Sequence, residues 1–251
     1  HFYMFVSSNF LAIHYGVNDT IAKFFVDREP PINNLYWKDK LLYLRHEPGY
    51  LFIPIIVDTL FKLGIDKNSL LDKKYVEVLE QIGHIAGLHE AEKITSKEAI
   101  EQCIALTKDK VENEYFYSAL LGYMQGEKNN FIVPLCTPFN ALHRGDIFLF
   151  SLAVLKFDDE LAEKIIEYWF AIIGSFLLLD DADDLEKDKL NNHENAFLQC
   201  GLNKEGIEKI KTLLAENLRL LKSLNQTLAR GIDNQFVTMA KLPHIQEYLN
   251  Y

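Results

Sequence analysis

Cysteine, proline and glycine are all scarce here: 3, 7 and 12 residues respectively in a chain of 251. Cys103, Cys136 and Cys200 are odd in number, far apart and set among apolar neighbours, which excludes a disulfide framework or a cysteine-based zinc cluster. Long apolar runs are also missing. Nothing approaches the roughly 18 to 20 uninterrupted apolar residues of a membrane-spanning helix, and no basic stretch leads into an apolar core and cleavage site at the N-terminus. A cytoplasmic location is the simplest expectation. Cations are in deficit: 26 Lys and Arg against 36 Asp and Glu give a formal charge of -10. Nucleic acid and anionic membranes both need clustered cations, so neither is expected as the main partner. No Ser/His/Asp order, Walker loop or dinucleotide fingerprint is present either.

What the chain does contain is a strong helical rhythm. Apolar residues make up 49% and charged residues 25%, enough to build one sizeable core at this length, so residues 1–251 are expected to form a single domain. Apolar positions recur at helical spacing nearly throughout, and β-branched runs between turn pairs are rare. The fold class is therefore all-α. Expected helices span 9–26, 35–45, 49–63, 73–91, 96–107, 109–125, 138–155, 159–190, 204–229 and 234–248. Breakers separate them, among them Pro30-Pro31, Pro48-Gly49, Gly64, the turn at 126–130, Pro134 with Pro138, and Gly201 with Gly206. Ser96 is the expected cap of its helix, with an incomplete capping box, and Asp158-Asp159-Glu160 places acids in a first turn, where the helix dipole favours them.

The most informative stretch is the end of helix 159–190. After the bulky run Trp169, Ile172, Ile173, Phe176, Leu177 and Leu179 come Asp180, Asp181, Asp183, Asp184, Glu186 and Asp188, all within nine residues. On a helix, Asp180, Asp184 and Asp188 line one face and Asp181 borders it. Like charges at that spacing cost a few tenths of a kcal/mol per pair, and more if the face is partly buried. A divalent cation offsets that cost: Mg²⁺ takes one or two carboxylates, keeps several waters and completes its octahedron with phosphate oxygens. A solvated acidic helix end is the alternative. The apolar residues nearly all round the preceding turns mark a core helix, which favours carboxylates at the floor of a cavity. An EF-hand is excluded, because the glycine and glutamate its calcium loop requires are out of place.

These residues resemble the second aspartate motif of the trans-polyprenyl diphosphate synthases, a family of the class I isoprenoid synthase fold. Phe176, Asp180, Asp181 and Asp184 fall at the positions of Phe-Gln-x-x-Asp-Asp-x-x-Asp, with Leu177 replacing the glutamine. Upstream, the segment from Gly49 to Pro54 is similar to the family's Gly-Lys-Arg-x-Arg-Pro stretch without its three cations. The run from Glu80 to Glu92 is similar to the helix that ends in the first aspartate motif. The resemblance covers roughly residues 45–92 and 165–225, and Gly145-Asp146 matches a Gly-Asp pair of the family only weakly.

The resemblance implies a bundle of packed antiparallel helices around a central cavity, a homodimer, and a Mg²⁺-dependent reaction on a prenyl diphosphate. Asp180, Asp181 and Asp184 would be metal ligands with Asp188 in support, and Glu90 would stand in for the degenerate first motif. Glu90 and Glu92 point to different sides of a helix, so that wall is weak. Arg45 and His46 are the candidates to replace the missing diphosphate-binding cations, and Lys187 and Lys189 are further candidates. Simple pairing of Lys187 with Asp184 is equally open. Loss of those cations points away from chain elongation, toward ionisation of a single diphosphate or toward a catalytically silent relative that binds a lipid or partner subunit; an unrelated helical protein-interaction module is the other alternative. His84 and His89 read as packing residues. Tyr115, Phe116, Tyr117, Leu120 and Tyr123 line either an isoprenoid tunnel or ordinary core.

Overall fold

A computed structural model describes residues 6–29, 31–34, 52–128 and 130–249. All regular structure among them is helical, with no strand. The α-helices in chain order are α1 Ser8–Tyr15, α2 Asp19–Asp27, α3 Phe52–Lys62, α4 Lys67–Leu70, α5 Lys73–Glu90, α6 Ser96–Thr107, α7 Glu114–Met124, α8 Asp159–Asp183, α9 Leu185–Asn191, α10 Ala196–Gln199, α11 Lys204–Leu224, α12 Gln226–Met239 and α13 Pro243–Leu249. Short 3₁₀ segments, Asn140–His143 and Asp146–Val154 among them, connect α7 to α8. The expected helix 35–45 lies outside the described residues.

Helix α8 is the hub. Ile165, Ile166, Trp169, Phe170, Ile172, Ile173, Phe176, Leu178 and Leu179 are all buried, so this helix is enclosed nearly all round, as its composition requires. It packs against α3, α7, α11 and α12 and against the 3₁₀ turn Asn140–His143. The segment Asp146–Val154 forms a second buried spine between α5, α6 and α7.

Several boundaries differ from expectation, each for a local reason. The expected helix 9–26 is two helices, because Gly16 adopts a left-handed φ of 63° and Asn18 caps α2 by accepting from the Thr20 N–H. A Cβ at Gly16 would lie 2.6 Å from Asn225 Oδ1, so the turn excludes any side chain. This turn is pinned to α3: Asp58 Oδ1 accepts from the Asn18 N–H at 2.7 Å, and Lys62 Nζ donates to the Gly16 carbonyl at 2.7 Å. Thr95, not Ser96, caps α6, and with Glu98 it completes the capping box. Asn113 caps α7 through the Phe116 N–H, so that helix starts later than expected. Residues 138–155 form 3₁₀ turns rather than one α-helix. Nearly every side chain of Asp146–Val154 is buried, so packing from several sides overrides local helix preference there. The expected 204–229 helix breaks at Asn225, whose backbone is extended.

Candidate functional site

The acidic stretch sits where the hub helix emerges from the core. Helix α8 ends at Asp183 and Asp184 forms a bend with ψ of 4° before α9. Backbone bonds nevertheless carry the helical rise across the bend: the Asp184 N–H donates to the Asp180 carbonyl at 2.9 Å, and the Asp188 N–H donates to the Asp184 carbonyl at 2.8 Å. Asp180, Asp184 and Asp188 therefore still occupy successive turns. Their side chains have different surroundings.

Asp181 is buried and both its oxygens are engaged. Oδ1 accepts from Arg144 Nη2 at 2.7 Å, and Oδ2 accepts from the Ala196 N–H at 2.7 Å. Burial pushes its carboxyl up to about 6, against the pull of Arg144 and the Ala196 N–H. Asp180 is half-buried and accepts from the same Arg144 nitrogen at 2.8 Å. Its carboxyl is also raised, chiefly by burial, with Arg144 opposing and the charges of Asp184 and Asp188 adding to the rise. Burial lowers the Arg144 guanidinium, but the Asp181 and Asp180 carboxylates outweigh that and hold it above its ordinary value. Arg144 also donates through Nη1 to the Ala141 carbonyl at 2.6 Å, so one side chain ties the 3₁₀ turn to the end of α8. Gly145 lets that turn approach: a Cβ there would come within 3.0 Å of Ile173 Cγ2 on α8.

Asp188 is buried beneath a polar loop. Asn195 Nδ2 donates to Asp188 Oδ2 at 2.9 Å and to the Asp181 carbonyl at 2.7 Å, while Asn195 Oδ1 caps α10 through the Phe197 N–H. His193 Nδ1 lies 3.5 Å from Asp188 Oδ1. Asp184 stays at the surface, 3.3 Å from Lys187 Nζ. Lys189 turns away toward α13, its Nζ 3.3 Å from the Tyr248 hydroxyl. Glu90 ends α5, which packs on α6 and on Asp146–Val154, and its side chain lies outside the described residues. Arg45 and His46 also lie outside them.

The structure thus gathers Asp180, Asp181, Asp184, Asp188 and Lys187, and adds two residues that the reading of the sequence did not assign to the site. Arg144 gave no signal beyond its place beside Gly145-Asp146. Asn195 stood in a polar loop recognisable from composition, but its bonds to Asp181 and Asp188 depend on the loop folding back. Among the described residues no three His, Cys, Asp or Glu side chains form a ready-made metal site.

No family model, curated protein or solved structure matches this chain.

Another buried carboxyl lies two residues beyond Arg144. Asp146 Oδ2 accepts from the Tyr123 hydroxyl, and Oδ1 is buried without a partner among the described residues. Burial pushes this carboxyl up to about 7, with the Tyr123 bond and His143 opposing. Open grooves flank the core: one of about 1150 Å³ runs between α8, α11 and residues 134–139, and one of about 640 Å³ lies between α2 and α5. Neither is lined by the four aspartates.

Proposed function

We propose that this protein is an isoprenoid-synthase-like enzyme that binds the headgroup of a prenyl diphosphate, with Mg²⁺, at the end of α8. The observation that carries the reading is the pair Asp180 and Asp184, one turn apart, with side chains 35% and 42% exposed above a hydrogen-bonded base. The donor set fits the metal: two hard carboxylates accessible to solvent are what Mg²⁺ takes from a protein when substrate phosphate and water supply the rest. Asp180 and Asp184 would hold it. Asp181 and Asp188, both buried with both oxygens engaged, would orient the helix end rather than ligate. Bound Mg²⁺ supplies positive charge to the leaving diphosphate. Arg144 and Lys187 stand at the same edge and would add positive charge beside the phosphate oxygens. The homodimer implied by the resemblance belongs to this proposal.

A second reading, a catalytically silent relative, draws on Arg144 itself, which already pairs with Asp180 and Asp181 without a metal. One experiment separates the two. Mixed with geranyl, farnesyl or geranylgeranyl diphosphate and Mg²⁺, an enzyme releases diphosphate, and Asp184→Ala abolishes the release. A silent relative gains thermal stability with Mg²⁺ and ligand, by mass action on the folded state, without turnover. Neither release nor stabilisation would refute both.

A further inference from the structure

The α11–α12 hairpin carries a cationic hollow that the aspartate site does not use. In a chain with a formal charge of -10, helix-surface lysines are commonly paired with an acid one turn away, as in Lys23–Asp27, Lys73–Glu77, Lys97–Glu101, Lys209–Glu205 and Lys211–Glu208. Arg219, Lys222 and Arg230 are exposed and form no ion pair among the described residues, although Glu216 and Asp233 lie one turn from Arg219 and Arg230. All three line one groove of about 550 Å³ between the two helices, where Asp233 is the one acid and Gln226 adds an amide. The hollow exists because Ala215 and Ala229 face the seam, leaving a floor of half-buried Leu218 and buried Ala229.

Helix electrostatics account for one of the three cations. Lys222 lies in the last turn of α11, where the dipole favours it. Arg230 lies near the start of α12, the positive end, so its own helix offers no such compensation. Three cations and the single carboxylate of Asp233 leave the concavity with net positive charge, which a bound anion offsets. Two guanidinium forks and an ammonium match the tetrahedral oxygens of a phosphoryl group. The hollow is larger than one phosphate and within the range of small-molecule sites. Its apolar floor and Asp233 suit an organic portion bearing a hydroxyl group.

We propose that the α11–α12 seam binds an organic phosphate, its phosphoryl oxygens held by Arg219, Lys222 and Arg230 and a hydroxyl of its organic part donating to Asp233. This site is independent of the aspartates and needs no metal. The test uses the full chain in EDTA, with glycerol phosphate as the soluble probe and vesicles of phosphatidylglycerol or phosphatidylcholine as the lipid probe. Amide NMR shifts report the first and co-sedimentation reports the second. The expected result is saturable binding of glycerol phosphate with shifts centred on residues 218–233. It weakens at least 10-fold in Arg219→Ala/Arg230→Ala and is unchanged in Lys204→Ala/Lys241→Ala, which removes the same charge elsewhere. Binding of phosphatidylglycerol but not phosphatidylcholine vesicles, lost in the same double variant, assigns the phosphate to a lipid headgroup and also supports the site. Binding of neither probe, or binding equally weakened by the Lys204/Lys241 variant, overturns the proposal. The three outcomes leave diphosphate release at α8 untouched, so this test and that one fail separately.

Discussion

Replacing Arg144 with methionine removes the cation but keeps most of the side chain's bulk, and the consequence follows from where its two partners sit. Arg144 reaches Asp180 at 2.8 Å and Asp181 at 2.7 Å. Asp180 is 35% exposed, so water takes over much of that bond, and its share is at most about 1 kcal/mol. Asp181 is 1% exposed and keeps only the Ala196 N–H, which leaves a buried carboxylate without its cation, a defect that costs about 3–5 kcal/mol. The loss must depend on pH. Burial already lifts the Asp181 carboxyl from 3.8 to about 6, and removing the guanidinium lifts it further. A carboxyl raised in the folded state contributes stability in full below its unfolded value, and that contribution is lost as pH rises through the folded value. Urea unfolding should therefore show Arg144→Met weakened by about 3–5 kcal/mol at pH 8 and by clearly less at pH 5. Adding Asp181→Asn removes the orphaned charge, so the double variant should lose less than the two single losses added together. A loss below about 1 kcal/mol at pH 8, or an equal loss at both pH values, would refute the reasoning.

Three further outcomes are expected. Burial pushes the Asp146 carboxyl from 3.8 up to about 7 in the folded state, a gap worth on the order of 4 kcal/mol, so the protein should lose stability as pH rises from about 4 to 7, and Asp146→Asn should flatten that slope in urea titrations. Asn195→Ala removes bonds to Asp188 and the Asp181 carbonyl together with the α10 cap, and should cost about 2–4 kcal/mol by chemical denaturation. Gly16→Ala forces a side chain into left-handed backbone and against Asn225 Oδ1, and should cost about 2 kcal/mol or more, read as a lower midpoint in thermal melts.

Elements whose signals are local were legible from the residues themselves. The all-helical class, the starts of α5 and α8, and the identity of α8 as a core helix follow from apolar periodicity and capping acids, which act within a turn or two of chain. The acidic face followed too, since spacing alone puts Asp180, Asp184 and Asp188 on successive turns. Helix ends that depend on distant partners were not legible. Asn225 breaks a continuous helical pattern because its Nδ2 donates at 2.9 Å to the carbonyl of Tyr15, far back at the start of the chain. Composition along 204–229 contains no trace of that bond. The same holds for the site: composition concentrates carboxylates at the end of α8, but only packing decides that Asp181 turns inward onto Arg144 while Asp184 faces water. Periodicity specifies which side of a helix a residue occupies. The environment on that side, and therefore whether a carboxyl group is a buried strut or an accessible ligand, is set by whichever other segment folds against it.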